Sequence, residues 1–315
     1  MKVLITELIW KVGIDRLKPF AEVEYDPSLW KNRELLLEKV KEVDAIIVRN
    51  QTRVDDELLQ AGRNLKVIGR LGVGLDNIDL KIAKLLKIDV VYGRNANAIS
   101  VAEYVMASMM EANRPLFQAD TDVKQGNWDR KRFTGFELYG KTVGLVGMGE
   151  IAHRVAKRAM AFGMHAVGFD PFMTSYDYPA AETGIETVSF DQLLSVSDFI
   201  SIHVPLTPQT RSMFSLTQFN RMKETAYIIN TARGGIIDEG ALFNALYSKN
   251  IAGAFLDVLE QEPIDPSHPL LQCDNVVITP HVAGLTEESQ VRTSILVADE
   301  VIKILQGQSA LCVVR

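Results

Sequence analysis

The segment TVGLVGMGEIAHRVAKRAMAFGMHAVGFD, residues 142–170, decides the fold. It opens with a short apolar, β-branched run that is typical of a buried parallel strand. A glycine-rich turn and a stretch of helical periodicity follow, and a second apolar run closes on Asp170. Strand, glycine turn, helix, strand and acid in this order are the dinucleotide-binding fingerprint of a βαβ unit.

Each small residue of the fingerprint has a physical task. Gly147 allows the tight turn, Gly149 lets the backbone approach a pyrophosphate, and Ala152 lets the helix pack closely on the strand. The N–H groups of Glu150 and Ile151, at the start of the helix, would hold the phosphates together with the positive end of the helix dipole. A glycine pattern alone often marks no more than a tight turn, but the complete context favours a bound nucleotide.

Asp170 predicts which nucleotide binds. Its carboxylate can accept hydrogen bonds from the 2′-hydroxyl of a ribose and would repel a 2′-phosphate. No Arg or Lys follows it closely, since the next residues are Pro171, Phe172 and Met173. The sequence therefore favours NAD over NADP as the cofactor.

Length and composition exclude several classes of protein. With 315 residues the chain can form two domains with cores of their own. The net charge of −6 argues against binding to nucleic acid or to an anionic membrane, and no apolar run is long enough to span a bilayer, so we expect neither partner. The two cysteines, Cys273 and Cys312, form no CxxC pair, so we expect no metal site and a cytoplasmic, reducing setting.

Strand-like and helix-like stretches alternate on both sides of the fingerprint, which predicts two α/β domains, each with a doubly wound parallel sheet. The predicted strands outside the fingerprint are Val3–Ile5, Val23–Tyr25, Ala45–Val48, Val67–Gly69, Val90–Tyr92, Phe199–Val204, Ala226–Asn230, Ala254–Leu256 and Val276–Ile278. A second glycine-rich turn, residues 70–76, follows the fourth of these strands.

Three further segments connect or close the domains. Residues 98–113 predict a long, mostly apolar helix, which must be covered on most of its sides. Residues 116–140 have weak periodicity, and we interpret them as an extended arm. A final helix is predicted from the N-cap Thr286 to Gln306, and we expect the strand-like tail 311–314 to pack on the first domain.

Four polar residues follow the strands of the fingerprint domain: Arg233, Asp257, Glu262 and His281. The carboxyl ends of parallel strands meet at one edge of a sheet, where such sheets bind ligands. Each residue also has a structural interpretation: Arg233 as a helix cap or surface ion pair, Glu262 as a solvated loop carboxylate, His281 as a structural hydrogen-bonding group. Their joint placement favours the functional interpretation.

These residue types suit hydride transfer between a nicotinamide and a 2-hydroxy or 2-oxo acid. An imidazole has an unperturbed pKa of about 6.5, so His281 can exchange a proton with the substrate oxygen. Glu262 on its other nitrogen would fix the tautomer and favour the charged ring. Arg233 would clamp the substrate carboxylate and polarise the carbonyl. Asp257 could bind the nicotinamide carboxamide, and we interpret His203 as mainly structural, with a backbone contact to the cofactor.

The chain resembles the D-2-hydroxyacid dehydrogenase family over essentially its whole length. The matching segments, in family order, are GRLGVGLDNIDL (69–80), NAISVAEYV (97–105), GKTVGLVGMGEIA (140–152), HVPLTPQT (203–210), INTARGGIIDEGAL (229–242), AGAFLDVLEQEP (252–263) and NVVITPHVAG (275–284). The resemblance implies an NAD-dependent oxidoreductase that acts on the CH–OH group of a small D-2-hydroxy acid. It also implies a homodimer held together by the 98–113 helix and the arm.

The resemblance further implies the domain arrangement and the site residues. A Rossmann NAD-binding domain, 98–284, is inserted into a flavodoxin-like substrate domain, 1–97 and 285–315. The implied catalytic set is Arg233, Glu262 and His281. The implied cofactor contacts are Gly147, Gly149, Glu150, Ile151, Asp170, His203, Val204, Pro205, Thr210, Thr231, Ala232, Arg233, Asp257, His281 and Gly284. The implied substrate contacts are Arg49, Arg70, Val73, Gly74, Asn97, Arg233 and His281.

Within the family, the chain is similar to the phosphoglycerate-dehydrogenase-like branch. The segments that carry this similarity are IVRNQTRV (47–54), VIGRLGVG (67–74) and GNWDRKRFTGFEL (126–138). Arg49, Arg70 and, across a dimer, Arg132 could balance a second anionic group on the substrate. The alternative for each is ion pairing at the surface.

Two departures from that branch keep other substrates open. No regulatory domain follows Arg315, so we expect no feedback control of the serine-pathway kind. The segment YGRNANAISVAEYV (92–105) lacks the Pro often found before the Asn, so sulfolactate is an alternative to 3-phosphoglycerate. A hydroxypyruvate or glyoxylate reductase is a further alternative. An NAD-sensing corepressor is the alternative from another class, disfavoured because the chain has no disordered tail.

Overall fold

The computed structural model describes residues 1–314, apart from the side chains of Tyr178 and Pro179. Its strands are β1 Lys2–Ile5, β2 Glu22–Tyr25, β3 Ala45–Val48, β4 Val67–Arg70, β5 Asp89–Tyr92, β6 Thr142–Val146, β7 His165–Phe169, β8 Glu186–Thr187, β9 Phe199–Ile202, β10 Tyr227–Asn230, β11 Gly253–Leu256 and β12 Val276–Ile278. The nine predicted strands and the two of the fingerprint are all present.

The α-helices cover the faces of two sheets. They are α1 Lys11–Leu17, α2 Arg33–Lys39, α3 Asp56–Ala61, α4 Leu80–Leu85, α5 Ala98–Asn113, α6 Leu116–Lys124, α7 Glu150–Ala161, α8 Tyr178–Thr183, α9 Phe190–Val196, α10 Leu216–Phe219, α11 Glu239–Tyr247 and α12 Glu287–Leu305. Within the described part of the chain, no helix is both long and apolar enough to cross a membrane.

The chain divides into two compact units. Unit 1 comprises Met1–Asn97 and the segment from Leu285 onward, and unit 2 comprises Ala98–Gly284. Arg315, the last residue of the predicted substrate domain, lies outside the described residues.

Unit 1 is built on a five-stranded parallel sheet of order β2-β1-β3-β4-β5. Every residue of β3 is buried, as expected for a strand covered on both faces. The strand order reverses between β1 and β3, which makes the carboxyl ends of these two strands the topological switch point of the sheet. The predicted tail packs on this unit, where Val313 bridges Val91 and the N–H of Val314 donates to the oxygen of Val90 at 2.9 Å.

Unit 2 is built on a seven-stranded parallel sheet of order β12-β11-β10-β9-β6-β7-β8. Its switch point lies between β6 and β9, so the glycine turn after β6 stands where such sheets bind ligands. Together the two parallel sheets confirm the predicted fold class of two doubly wound α/β domains. The final helix is also confirmed: Thr286 caps α12 in a capping box, and Gly307 beyond its end has φ of 73°.

The prediction of an extended arm was wrong for residues 116–124, which form α6. Lys124 pairs with Asp120 one turn away at 2.6 Å, and this contact supports the helix from its exposed side. The helix could not be predicted from apolar periodicity, because Leu116 and Phe117 are exposed and the apolar residues do not form a buried face. The predicted strand ending at Val204 is also shorter, since β9 ends at Ile202.

Candidate active site

The glycine turn after β6 combines a tight contact with an open space. Gly147 has φ of 87°, and a Cβ there would lie 2.8 Å from Cγ1 of Val204 and 2.9 Å from the oxygen of His203. This residue must therefore be glycine for the turn to pass the end of β9. A Cβ on Gly149 would meet no heavy atom within 4 Å, so its backbone borders open space in which a pyrophosphate fits.

The start of α7 offers hydrogen-bond donors to that space. Gly149 is the N-cap and no side chain caps the helix, so the N–H groups of Glu150 and Ile151 are not taken by a cap. Behind them Ala152 is fully buried against the sheet. These are the features by which a helix start holds phosphate groups.

Asp170 is oriented by the backbone on both sides. Oδ2 accepts from the N–H of Met148 at 3.0 Å, and Oδ1 accepts from the N–H of Phe172 at 2.9 Å. A carboxylate has about four acceptor positions, so about two remain for ribose hydroxyls. The carboxylate thus ties the glycine turn to the end of β7 while keeping the acceptors that the NAD prediction requires.

Two orphaned polar atoms lie at the ends of the neighbouring strands. Burial lowers the pKa of His203, which follows β9, to about 3, so its ring is neutral. Its Nε2 and the hydroxyl oxygen of Thr231, after β10, are buried and have no hydrogen-bond partner among the described residues. Buried polar atoms are normally paired, so these positions fit a polar ligand along this edge. In the loop after β9, the hydroxyl of Thr210 donates to the oxygen of Pro205 at 2.6 Å.

His281 and Glu262 form a direct pair. Nδ1 of His281 lies 2.9 Å from Oε2 of Glu262, and Oε1 accepts from the N–H of Leu259 at 3.1 Å. Partial burial raises the pKa of Glu262, but the hydrogen bonds from His281 and Leu259 and the charge of Arg233 outweigh it, so the pKa lies below its usual value. An ionised Glu262 can only accept, so it holds the proton of the ring on Nδ1 and leaves Nε2 as the nitrogen that exchanges protons.

The turn that carries His281 is held by Asp257. His281 has φ of 57°, a left-handed conformation that costs energy for a residue with a side chain. Asp257 is 2% exposed, and its carboxylate accepts from the hydroxyl of Thr279 at 2.6 Å and from the N–H groups of Val282 and Ala283 at 2.7 and 2.8 Å. Its backbone oxygen accepts from the N–H of His281. Asp257 therefore shapes the turn, a task that no sequence pattern indicated.

Arg233 is presented by a turn that Asn230 organises. The side chain of Asn230 accepts from the N–H of Ala232 at 3.0 Å and donates to the oxygen of Arg233 at 2.9 Å. The next residue, Gly234, touches the loop before Glu262, because a Cβ there would overlap the oxygen of Leu259. The structure thus brings together all three residues of the predicted catalytic set, within unit 2.

Sequence reasoning missed the groups that support this set from behind. Oε1 of Glu239, at the start of α11, accepts from the N–H of Glu260 at 2.7 Å, and Oε2 lies 3.0 Å from Nε2 of His268. The hydroxyl of Tyr104, on α5, lies 2.6 Å from that of Thr279. The available signal was that Glu239, Thr279 and Tyr104 stand inside the motif segments.

Five of the predicted substrate contacts lie in unit 1, and the other two, Arg233 and His281, lie in unit 2 with the catalytic set. Arg49 follows β3, Arg70 ends β4, and the Val73–Gly74 turn follows, so all are at the carboxyl edge of that sheet. Asn97 ends the first segment of the unit, and its side-chain oxygen is buried without a hydrogen-bond partner among the described residues. Arg132 lies in unit 2, where Nη1 pairs with the buried carboxylate of Asp122 at 3.1 Å. In this structure Arg132 thus forms an ion pair within its own chain, which is the alternative to binding a substrate anion. Gly284 ends unit 2.

Comparison with known proteins agrees with the geometry. The family model for the NAD-binding domain of D-isomer specific 2-hydroxyacid dehydrogenases matches residues 106–283. The Thermus thermophilus protein TT0316 superposes with a TM-score of 0.91 at 32% identity, covering 100% of both chains.

Curated relatives of the chain carry functional names. D-3-phosphoglycerate dehydrogenase of Archaeoglobus fulgidus is 44% identical over 308 residues, which is 98% of this chain and 58% of the relative. The chain thus spans little more than half the length of that protein. Hydroxypyruvate reductase of Thermotoga maritima is 43% identical over 275 residues, 87% of this chain and 88% of the relative.

The contact at Gly234 yields a prediction about stability. Gly234→Ala should lower the free energy of unfolding by about 1–3 kcal/mol, because the added methyl group forces the Arg233 turn off the loop that carries Glu262. Chemical denaturation of the purified variant measures the loss. Gly240→Ala, within α11, is the matched control: its Cβ would lie 3.4 Å from Oδ1 of the N-cap Asp238, and Ala favours a helix by about 1 kcal/mol over Gly. Equal stability of the two variants would contradict the close contact.

Proposed function

Because the chain belongs to the D-isomer specific 2-hydroxyacid dehydrogenase family, we propose that it transfers a hydride between NAD(H) and C2 of a small D-2-hydroxy acid or its 2-oxo acid. The observation that supports this most directly is the 2.9 Å pair of His281 and Glu262 beside Arg233. It combines a proton-exchanging ring, a carboxylate that fixes its tautomer, and a cation for a carboxylate substrate.

His281 acts as the acid–base group. In the direction of oxidation, the neutral ring carries its proton on Nδ1, so Nε2 takes the proton of the substrate hydroxyl. Glu262 stabilises the resulting imidazolium across the 2.9 Å contact. In the direction of reduction, the charged ring returns that proton to the carbonyl oxygen. The left-handed turn held by Asp257 keeps the ring in place through both steps.

Arg233 binds the substrate carboxylate. Its guanidinium can form two parallel hydrogen bonds with a carboxylate, which fixes the orientation of C2 and its oxygen. The same charge polarises the carbonyl and stabilises the negative charge that develops on its oxygen during reduction. Because Asn230 and Gly234 set the Arg233 turn against the Glu262 loop, the clamp and the acid–base pair have a fixed relation.

The cofactor edge of unit 2 fits NAD. The space beside Gly149 and the N–H groups at the start of α7 would hold the pyrophosphate, and Asp170 would hold the adenosine ribose. Bound NAD supplies the hydride acceptor, and NADH the donor. A 2′-phosphate beside Asp170 would meet a like charge, so we propose a preference for NAD over NADP.

We propose a substrate with a second anionic group, balanced by Arg49 and Arg70 in unit 1. The name of the Archaeoglobus fulgidus relative supports a 3-phosphoglycerate-like acid, and sulfolactate carries the same charge pattern. The name of the Thermotoga maritima relative supports hydroxypyruvate as the alternative, a substrate without the second anion.

A substrate panel tests the proposal. NADH oxidation should be measured with 3-phosphohydroxypyruvate, sulfopyruvate, hydroxypyruvate, glyoxylate and 2-oxoglutarate, and repeated with NADPH. We expect turnover with NADH, and a kcat/KM for the best dianionic acid about tenfold or more above that for glyoxylate, since one added ion pair in a partly buried site contributes on the order of 1–2 kcal/mol. An absence of turnover with every acid would refute the proposed dehydrogenase activity.

Replacing His281 tests the acid–base role. In His281→Asn we expect kcat to fall by about 10²–10⁴-fold, the usual contribution of a general acid or base. NADH affinity, measured by fluorescence titration, should stay within about twofold, because Asn tolerates the left-handed conformation of this turn. His165→Asn, on the exposed start of β7, is the control and should retain activity. Undiminished turnover in His281→Asn would assign the proton exchange to another group.

We also propose a homodimer formed through the arm. Large apolar side chains of this segment are exposed in the single chain: Leu116, Phe117, Trp128, Phe136 and Tyr139 are between 66% and 79% accessible. A cluster of this kind on one segment is typical of a surface that another chain covers.

For the setting of the protein we propose a reducing cytoplasm, which the free thiols of Cys273 and Cys312 support.

Sedimentation velocity tests the dimer. We expect the unaltered chain to sediment as a dimer and Phe117→Asp to weaken association about tenfold or more, since a charge would replace a large apolar contact. Tyr247→Asp is the control, because Tyr247 is equally exposed at 79% but lies on α11, outside the arm. A monomer at all concentrations, or equal effects of both substitutions, would refute the proposed interface.

A further inference from the structure

The carboxylate of Glu7 lies at the centre of a ring of backbone donors. Glu7 stands two residues beyond the end of β1 and is 3% exposed. Its Oε1 accepts from the N–H groups of Arg49 and Thr52, both at 2.8 Å, and its Oε2 from those of Asn50 and Gln51 at 3.2 and 2.9 Å. Consecutive N–H groups that converge in this way form an anion-binding concavity, and here a side chain of the protein fills it.

This ring is located at the switch point of the unit 1 sheet. β1 and β3 are neighbours in the order β2-β1-β3-β4-β5, and Glu7 and the ring follow their carboxyl ends. A sheet of this order binds its ligands at that point, where backbone N–H groups are the usual anion donors. Because Glu7 already occupies these four donors, an anionic ligand at this edge cannot use them and must find other partners, among them arginine side chains.

The main chain of Arg49 is fixed from two directions. Its N–H group donates to Glu7, and its carbonyl oxygen accepts from Nδ2 of Asn77 at 3.2 Å. The same Nδ2 donates to the oxygen of Thr52 at 2.7 Å, and the hydroxyls of Thr52 and Thr6 lie 2.7 Å apart. The short segment 49–52 is therefore held at both ends by side chains from two other loops.

The positive charge of the Arg49 side chain is only weakly balanced by negative charge nearby. Burial lowers the pKa of the Arg49 guanidinium, and the charge of Glu7 offsets this only in part. Within the described residues, no hydrogen bond or ion pair to the guanidinium is formed. An anion from a ligand would therefore gain a partly desolvated, rigidly mounted partner, which interacts more strongly than a flexible surface arginine.

We propose that Glu7 is a positioning residue for Arg49. Its carboxylate occupies the four N–H groups of residues 49–52 and thereby holds the Arg49 side chain where it can bind the second anionic group of the substrate. The inference rests on the proposed function, in which Arg49 balances a second anionic group. Glu7 itself does not touch the substrate in this arrangement and acts through the segment 49–52.

Glu7→Gln is the direct test, because the side chain keeps its size while one acceptor oxygen becomes a donor. Two of the four N–H groups then lose their acceptor, and the segment 49–52 must shift. In the NADH assay we expect KM for 3-phosphohydroxypyruvate to rise about tenfold or more, a loss comparable to one ion pair. The kcat/KM for glyoxylate, which lacks the second anion, should stay within about twofold.

A double-mutant cycle shows whether Glu7 acts through Arg49. Arg49→Ala should also raise KM for the dianionic acid selectively, and Glu7→Gln should add little to it in the double variant, because the positioned group is already gone. Additive losses would overturn the proposed route. Asn77→Ala removes the clamp on the other side of the same segment and should reproduce the selective effect, also where Glu7→Gln fails to fold.

Glu300→Gln is the matched control. Glu300 is also a buried carboxylate of unit 1, 1% exposed, and accepts from the N–H of Cys312 at 2.6 Å, in the tail. We expect it to lower the melting temperature and leave the ratio of kcat/KM between the two acids unchanged. If Glu7→Gln and Asn77→Ala leave that ratio unchanged as well, the inference is wrong. If the unaltered protein itself shows no preference for dianionic acids, the proposed substrate class fails instead.

Discussion

The position of His281, the acid–base group of the candidate site, depends on the hydrogen bonds that the buried carboxylate of Asp257 receives. A left-handed His281 and a sharp turn after β12 are costly, and they persist because one carboxylate gathers the hydroxyl of Thr279 and two backbone N–H groups while its own main chain holds that of His281. Without this carboxylate, the buried N–H of Ala283 would lose its acceptor, which is costly. The pairing of His281 with Glu262 depends on this turn, because the turn fixes the backbone position from which the imidazole extends.

Glu7 in unit 1 orders a loop in the same way, by accepting hydrogen bonds from its backbone N–H groups. Both carboxylates are almost completely buried, both stand beyond a strand end of a parallel sheet, and both accept from several backbone N–H groups of a neighbouring loop. A parallel sheet collects its loops at one edge, but it does not order them. Internal anions supply that order without using the side chains that contact ligands, which remain available for chemistry.

The sequence predicted what depends on local pattern. Buried strands such as Ala45–Val48 can be predicted because they are unbroken apolar runs. His281 could be found because it follows another short apolar run, the edge strand β12. The sequence could not predict α6, whose apolar residues face outward, nor the contact between Tyr104 and Thr279, which joins segments far apart in the chain. Roles of the second kind exist only once the chain is folded, and no spacing rule encodes them.

The two units differ in what they leave open at the switch point. In unit 2 the backbone beside Gly149 borders empty space, so a nucleotide can be held by main-chain groups that any sequence with the right glycines provides. In unit 1 the corresponding donors are occupied by Glu7, and the proposed selection of the substrate therefore relies on side chains such as that of Arg49. A cofactor recognised by backbone leaves a motif in the sequence. The proposed recognition of the substrate by single side chains, such as that of Arg49, leaves a weaker pattern. Residues 142–170 therefore predicted the cofactor, while the sequence left several acids open as the substrate.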